Sequence, residues 1–269
     1  MLRTEETNLA EALTKQPGRI AGNPNTGIIK LIAVFFMLID HAAILFFKNA
    51  PFYTEMRLFG RIAMPLFAWG IVIGSEYTHN ILLYAARVLA AAFLIQFLYM
   101  PVMHHDWQYL SIFFTLALGL FGIAGIRLRW AGSQFWAPIL ALLVPFLLQM
   151  LPSPVQIDYG WKGVALVLCL YACRQNRGAI AAMMCFFCLF WGVSSSSAIS
   201  TLFGVTIRYP SAFSSLLNYV FRLQFFAILS LPIILYPAKH SLHIPKWISY
   251  SIYPAHLVLL YLVGLAVRA

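Results

Sequence analysis

Long apolar runs separated by short polar stretches follow one another along almost the whole chain. Most of these runs approach the roughly 20 residues that an α-helix needs to cross a bilayer. The pattern therefore predicts an all-α fold, a polytopic transmembrane helix bundle with about eight or nine spans. The predicted spans cover residues 27–47, 59–74, 81–102, 109–126, 135–151, 161–173, 179–193, 216–236 and 248–267.

A polar segment precedes the first apolar run. Residues 1–26 mix acidic and basic side chains and contain no apolar stretch of the kind found in a signal peptide. We expect this segment to be a mobile cytoplasmic tail. Residues 27–269 show neither a linker nor an internal repeat, and we expect them to form a single transmembrane domain.

The charges between the spans predict an orientation. With nine spans and a cytoplasmic N-terminus, the basic pairs of three loops all fall inside, as the positive-inside rule requires: Arg127/Arg129, Arg174/Arg177 and Lys239/Lys246. The loops that carry His104-His105-Asp106 and Asp158 then fall outside. The segment from Lys48 to Arg57 is an exception, because it would lie outside with three charges; it marks either a site or a wrong count. We expect a multi-pass protein of the bacterial inner (cytoplasmic) membrane.

Composition supports the membrane and argues against other partners. The chain is 62% hydrophobic and only 10% charged, far from the average of a soluble domain. Its net charge of +10 comes from basic residues spaced singly or in pairs, so we expect contact with membrane lipid and none with nucleic acid. Cys185 and Cys188 have a CxxC spacing, but no second pair or histidine cluster accompanies them, so we expect no metal site.

Ionisable side chains inside apolar runs are expensive in a bilayer and are usually paired or functional. Five of them stand out, with Gln96 as a polar companion: Asp40, His41, Arg61, Arg87 and Glu76. Adjacent residues point about 100° apart on a helix, so Asp40 and His41 are expected to meet different partners. Asp40 is expected to pair with Arg57, Arg61 or Arg87. His41 has two equally open interpretations, a base that faces a cavity or a hydrogen-bonded structural histidine.

Two arginines lie four residues apart in Arg57-x-x-Gly60-Arg61. On a helix they share one face, and two guanidinium groups so placed can hold a carboxylate or a phosphate. The alternative is that they reach from the apolar region to the membrane interface, which is easier for Arg57 than for Arg61.

The same residues carry a family resemblance. Ile39-Asp40-His41, followed by Arg57-x-x-Gly60-Arg61-x-x-x-Pro65-x-Phe67, resembles the TraX family of conjugative-pilin acetylases. The sequence is also distantly similar to integral-membrane acyltransferases that modify surface sugars. Between about Lys30 and Tyr261 the resemblance continues, in order, through Thr78-His79-Asn80, Tyr84-x-x-Arg87, Gln96, Ser111-Ile-Phe-Phe-Thr115-Leu, Asp158-Tyr159-Gly160 and Tyr253-Pro254-x-His256-Leu.

The resemblance implies an acyltransferase that acetylates the N-terminal amine of a pilin subunit, with acetyl-CoA as donor. The implied partners are acetyl-CoA and a small, hydrophobic, pilin-like protein. His41 is the expected base, since an imidazole titrates near neutral pH, and Asp40 would set the charge balance by holding an arginine. Arg57 or Arg61 would stabilise developing negative charge or hold a CoA phosphate. The remaining candidate substrate-binding or cofactor-binding residues are Arg87, Gln96 and Glu76.

Other functions stay open at the level of sequence. An O-acyltransferase acting on a surface glycan or lipid would need similar chemistry, and the sequence does not separate amine from hydroxyl acceptors. A transporter would relay protons through Asp40 and His41, but the inverted repeats typical of transporters are not visible. A non-enzymatic factor that holds hydrophobic pilin in the membrane would have no need of a buried ionisable cluster.

Overall fold

The computed structural model describes residues 20–195, 199, 201–206, 220–237, 242 and 244–268. In this part of the chain the long elements are helices, and each strand has only two residues. By length and composition, four helical stretches within the described residues are long and apolar enough to cross a membrane: Thr26–Phe46, Tyr53–Tyr77, Ile81–Met103 and Trp130–Gln149. The chain is therefore a helical membrane protein, which agrees with the all-α bundle that the sequence predicts.

The helices group into two compact units. The first unit comprises Ala68–Gln175 together with Met1–Ala21, of which Ile20 and Ala21 are described. The second comprises Gly22–Phe67 and Asn176–Ala269. The boundary at Phe67 falls within one continuous helix.

The first unit is built around one central helix. Its helices are α3 (Ala63–Tyr77, from Ala68 onwards), α4 (Ile81–Met103), α5 (Ile112–Leu128), α6 (Ser133–Gln149) and α7 (Gly160–Cys173). Helix α5 packs against α4, α6 and α7. A Cβ atom at Gly125 would collide with Ala137, and one at Gly119 would collide with Val167. Glycine therefore allows the close helix contacts that are common in membrane bundles.

Each end of the first unit is held by polar contacts between loops. At one end the Ala21 N–H donates to the Arg174 carbonyl at 2.8 Å, and the Arg127 guanidinium donates to the carbonyls of Ser75 and Thr78. At the opposite ends of these helices, β1 (Tyr109–Leu110) pairs in parallel with β2 (Gln156–Ile157). Within this unit, the Arg127 and Arg174 loops, which are predicted to lie inside, are therefore at one end, and the loops of Asp106 and Asp158, which are predicted to lie outside, are at the other.

The second unit contains the first and last helices of the chain, which run parallel. Helix α1 spans Thr26–Phe46, and the last helix, α10, spans Lys246–Arg268. Gly27 lies against the Leu242 carbonyl just before α10, and Phe46 faces Gly264 near its end. The other elements of this unit are α2 (Tyr53–Gly60), α8 (Arg177–Val193), β3 (Thr201–Leu202), β4 (Val205–Thr206), a 3-10 helix (Leu223–Ser230) and α9 (Leu231–Leu235).

Asparagine side chains fix where three of the helices begin. Asn25 accepts from the Ile28 N–H at 3.3 Å, Asn80 from Leu83 at 2.9 Å, and Asn176 from Ala179 at 3.1 Å. A side-chain oxygen at this position satisfies one of the first backbone N–H groups, which have no partner within the helix.

Three predicted spans differ in detail. The span predicted at 59–74 is broken at Arg61 and Ile62, between α2 and α3, because Pro65 has no N–H to donate to the carbonyl four residues earlier. The fourth span begins at Ile112 and not at residue 109, since residues 109–110 pair with β2. The span predicted at 216–236 is a 3-10 helix followed by five α-helical residues, and residues 216–219 lie outside the described part of the chain.

Candidate functional site

Asp40 is the centre of a buried ion cluster in the second unit. Its carboxylate accepts from Arg57 Nη1 at 2.6 Å and from Arg61 Nη2, which lies 2.6 Å from both oxygens. Asp40 is only 7% exposed and Arg61 5%, while the Arg57 side chain keeps 19% of its surface exposed. Arg61 Nε also donates to the Arg57 carbonyl at 3.2 Å, which fixes the guanidinium plane. The cluster carries one net positive charge.

The local sequence explains why both arginines reach one carboxylate. Arg57 lies in α2 and Arg61 directly after it, so the two stand about one helical turn apart on the same side. Gly60 lies against the Asp40 side chain, and a Cβ at that position would collide with the carboxylate. The spacing Arg57-x-x-Gly60-Arg61 therefore lets α1 and α2 approach closely enough for the double ion pair.

His41 turns away from this cluster and meets the last helix. Its Nδ1 lies 3.1 Å from His256 Nε2, and the two rings stack with centroids 5.3 Å apart and planes 24° apart. Both histidines are buried, and the Tyr253 ring packs edge-on against His256 at 4.6 Å. Two facing ring nitrogens at this distance share one proton, so one ring donates and the other accepts.

We call Asp40, His41, Arg57, Arg61 and His256 the buried polar centre. In it, two guanidinium groups share the single carboxylate of Asp40, and the imidazole of His41 contacts the imidazole of His256. Such a set can bind an anionic or polarised oxygen and can accept a proton. These are the requirements of acyl transfer.

Glu76 belongs to a different cluster, in the first unit. Its Oε1 accepts from Arg174 Nε at 2.6 Å, and the Tyr171 hydroxyl also donates to it. The Arg174 guanidinium lies 3.7 Å from the centroid of the Tyr171 ring. Together with Arg127, which caps the last carbonyls of α3, these residues join the ends of α3, α5 and α7. The observed contacts of Glu76 are thus those of a helix-joining ion pair.

Gln96 and Arg87 complete the predicted set. Gln96 donates to the Tyr109 carbonyl at 2.8 Å and accepts from the Ser111 N–H at 3.0 Å, so it holds the segment that leads into α5. Arg87 is exposed, and its Nε donates at 3.2 Å to the Leu83 carbonyl on the same helix.

His105 lies outside the spans, between two aromatic rings. Its ring stacks between Tyr99, at 5.6 Å, and Tyr109, at 4.1 Å. Burial lowers the pKa of His105, against the opposing effect of the Asp106 charge. The ring is therefore neutral at pH 7 and serves to pack the loop between α4 and β1.

The part of the chain that the structure describes contains no group of three or more histidine, cysteine, aspartate or glutamate side chains that could hold a metal ion. All four cysteines are free thiols, with Cys185 exposed and Cys188 buried, so the CxxC spacing does not form a bond.

Two buried residues of the second unit, His256 and Glu55, are not among the candidate site residues that the sequence predicts. His256 was visible only as part of Tyr253-Pro254-x-His256 in the last apolar run, 215 residues from His41. Glu55 is buried, and its Oε1 accepts from the Phe203 N–H at the tip of the β3–β4 hairpin. With Arg57 bound to Asp40, two of the three charges between Lys48 and Arg57 are engaged in specific contacts.

Comparison with known proteins places the chain in a family. A family model described as TraX protein matches residues 25–264, which is most of the chain. The chain is also 29% identical over 169 residues to a protein of Dichelobacter nodosus, "Probable fimbrial assembly protein FimC, serogroup H1". That match covers 58% of this chain and 66% of the relative, just under two thirds of the relative's length. No solved structure matches.

Proposed function

This chain belongs to the TraX family, and from that premise we propose that it is a membrane-embedded acetyltransferase of pilus maturation. It would move the acetyl group of acetyl-CoA to the N-terminal amine of a pilin-like subunit. The observation that carries the proposal is the buried imidazole of His41, paired with His256 and next in the chain to Asp40, whose carboxylate binds two guanidinium groups. The fimbrial assembly name of the Dichelobacter relative supports a role connected with pili.

The proposed reaction forms an amide C–N bond and breaks the thioester C–S bond. The attacking amine must be neutral, so it loses a proton as the bond forms, and the departing CoA thiolate gains one. His41 is the group that takes the proton from the amine and returns it to the thiolate. No external redox partner or metal is needed for this balance.

Arg57 and Arg61 are proposed to stabilise the negative charge that develops on the thioester oxygen and the charge of the CoA phosphates. The thioester oxygen becomes an oxyanion in the tetrahedral intermediate, and a rigid cation in a dry site stabilises it more than water does. Asp40 neutralises one of the two guanidinium charges and locks the orientation of Arg61. Arg57 is the more exposed of the pair, which suits contact with a CoA phosphate.

The proposed orientation brings a cytoplasmic donor to a buried site. Basic loops at Arg127 and Arg174 gather at one end of the first unit, which supports a shared cytoplasmic side. In the second unit, parallel α1 and α10 support an odd number of crossings, about nine in the arrangement that the loop charges favour. We propose an inner-membrane protein with its N-terminus in the cytoplasm.

A second candidate function is non-enzymatic. The relative's name describes fimbrial assembly and no chemistry, so the chain would then hold a hydrophobic subunit in the membrane. The two functions separate at His41, because an assembly factor has no use for a proton acceptor and would tolerate His41→Gln.

The direct test is intact-mass analysis of small hydrophobic proteins in membranes of cells with the gene, without it, and with His41→Gln. The enzyme predicts one subunit that gains an acetyl group only with the wild-type gene. If subunit abundance follows the gene while its mass never changes, the assembly role replaces the acetyltransferase. Acetylation of a glycan in place of a protein would identify a hydroxyl acceptor.

A further inference from the structure

His256 raises a question that the proposed reaction leaves open, namely which nitrogen of His41 acts as the base. A neutral imidazole carries one proton, and only its bare nitrogen can accept another. His41 Nδ1 faces His256 Nε2 at 3.1 Å, so the state of one ring dictates the state of the other. In many enzymes an aspartate beside the histidine makes this choice.

Asp40 is not placed to orient His41, although it precedes it in the chain. Both of its oxygens are engaged by guanidinium groups at 2.6 Å. Adjacent positions on α1 also direct the two side chains to different neighbours, α2 for Asp40 and α10 for His41. The imidazole of His256, in contrast, contacts His41 Nδ1 at 3.1 Å.

We propose that His256 is the positioning residue of His41. It accepts the hydrogen bond from His41 Nδ1–H and so leaves the lone pair of His41 on Nε2, the nitrogen that takes the proton of the acceptor amine. This inference rests on the proposed function. His256 does not have to touch either substrate, because it acts through His41.

The proton of His256 has a defined place in this arrangement. If Nε2 accepts from His41, the proton of a neutral His256 lies on Nδ1. That atom is buried and makes no hydrogen bond within the described residues, while the backbone carbonyls of Ile252 and Tyr253, in the preceding turn of α10, lie beside the ring. The reverse arrangement, with the proton on His256 Nε2, would place the proton of a neutral His41 on Nε2 and remove the base.

The packing holds the pair in register. The rings stack with planes 24° apart, and Tyr253 closes the edge of His256. Parallel contact between α1 and α10 fixes the two helices on both sides of the pair, near Gly27 and near Gly264. When His41 becomes an imidazolium during the reaction, the accepting nitrogen of His256 stabilises its Nδ1–H, and the proton on Nε2 then passes to the thiolate.

The test compares two replacements of His256 in full-length protein purified in detergent or nanodiscs. His256→Gln keeps a hydrogen-bonding group near the position of Nε2, whereas His256→Leu keeps comparable volume without one. We expect His256→Leu to lower kcat at least about tenfold, with the KM for acetyl-CoA unchanged, and His256→Gln to restore most of the loss. Equal activity of the leucine variant and wild type would show that His256 only packs, and would overturn the proposal.

A measurement on the wild type keeps the inference separate from the proposed function and from any failure of a variant to fold. Nitrogen NMR of protein labelled at histidine, with His41 assigned by its loss in His41→Gln, reports which nitrogen carries the proton. The proposal requires a protonated Nδ1 and a bare Nε2 at neutral pH. A protonated Nε2 overturns it. If NMR shows a protonated Nδ1 and a bare Nε2 but the protein acetylates nothing, then the role of His256 in orienting His41 stands and the proposed acetyltransferase function is wrong.

Discussion

The carboxylate of Asp40 lies directly against Gly60, with no room for a side-chain carbon between them. Arg57 and Arg61 both bind Asp40 of α1, and the glycine at position 60 leaves the space that this double ion pair requires. A methyl group here must displace the carboxylate or separate α1 from α2.

Gly60→Ala is therefore expected to reduce both the amount of inserted protein and the acetylated fraction of the acceptor. Gly70→Ala is the matched control, because nothing lies within 4 Å of the added Cβ and alanine favours a helix interior by up to about 1 kcal/mol. Membrane abundance by quantitative blot and acetylation by intact mass are the measurements. Equal behaviour of the two variants would contradict the close contact.

Asp40→Asn is expected to damage the protein through charge. The change leaves the buried guanidinium of Arg61 and the half-buried guanidinium of Arg57 without their counter-ion, and removing one partner of a buried pair costs about 3–5 kcal/mol. Lower membrane abundance and a lower unfolding temperature should result. Adding Arg61→Met to Asp40→Asn should restore part of the abundance without restoring acetylation, which a double-mutant comparison can measure.

Much of the fold follows from local signals in the sequence. Asn80 and Asn176 precede apolar runs, and helices begin directly after them because their side chains accept from the first turn. The 3-10 helix at Leu223–Ser230 has no comparable local signal and lies within an apolar run that the sequence assigns to an α-helical span. Hydropathy identifies an apolar segment but does not choose between helix types.

The site was predictable only in part. Asp40 and its arginines lie within about 20 residues of one another, so helix geometry limits their possible partners. The partner of His41 comes from α10, and no periodicity relates positions 215 residues apart. Glu76 shows the opposite case, since its isolation in an apolar run suggested a site while its observed partners, Arg174 and Tyr171, join helix ends.

His41→Gln is expected to lower the acetylated fraction of the acceptor by on the order of a hundredfold or more, because glutamine cannot accept a proton at neutral pH. His41→Ala should be equally inactive. Insertion should persist, since both replacements are no more costly in hydrocarbon than histidine. The exposed His79 provides the control, and His79→Gln should leave acetylation per inserted molecule unchanged. Near-normal acetylation by His41→Gln would make His41 a structural residue.

Glu76→Ala is expected to lower stability and leave catalysis by the folded protein unchanged. Its partner Arg174 would remain part-buried without the carboxylate, at a cost of a few kcal/mol. Thermal unfolding in detergent measures the loss, and kcat per folded molecule measures catalysis. Glu76→Gln combined with Arg174→Gln should be less destabilised than Glu76→Ala, because no charge is left unpaired. A selective rise in the KM for acetyl-CoA would instead assign Glu76 to donor binding.

The parallel course of α1 and α10 leads to a prediction about the two ends of the chain. Helices that run in the same direction across a membrane are separated by an odd number of crossings, so we expect an odd total from α1 to α10. A cytoplasmic N-terminus then places the end of α10 on the outer side. A total of eight would return it to the cytoplasm and require the two helices to be antiparallel.

Cysteine labelling of intact cells tests this arrangement, in a background where the four native cysteines are replaced. A cysteine at Asp106 or after the last residue should react with an impermeant maleimide. Cysteines at Arg129 or Arg177 should react only after the cells are opened, since positively charged loops are retained inside. The loop at Asp106 precedes α5 and the loop at Arg129 follows it. The two loops therefore lie at opposite ends of one helix and cannot both be outside. Labelling of Arg129 in intact cells would invert the orientation. Protection of the last cysteine, while the cysteine at Asp106 reacts, would contradict the predicted outer position of the end of α10.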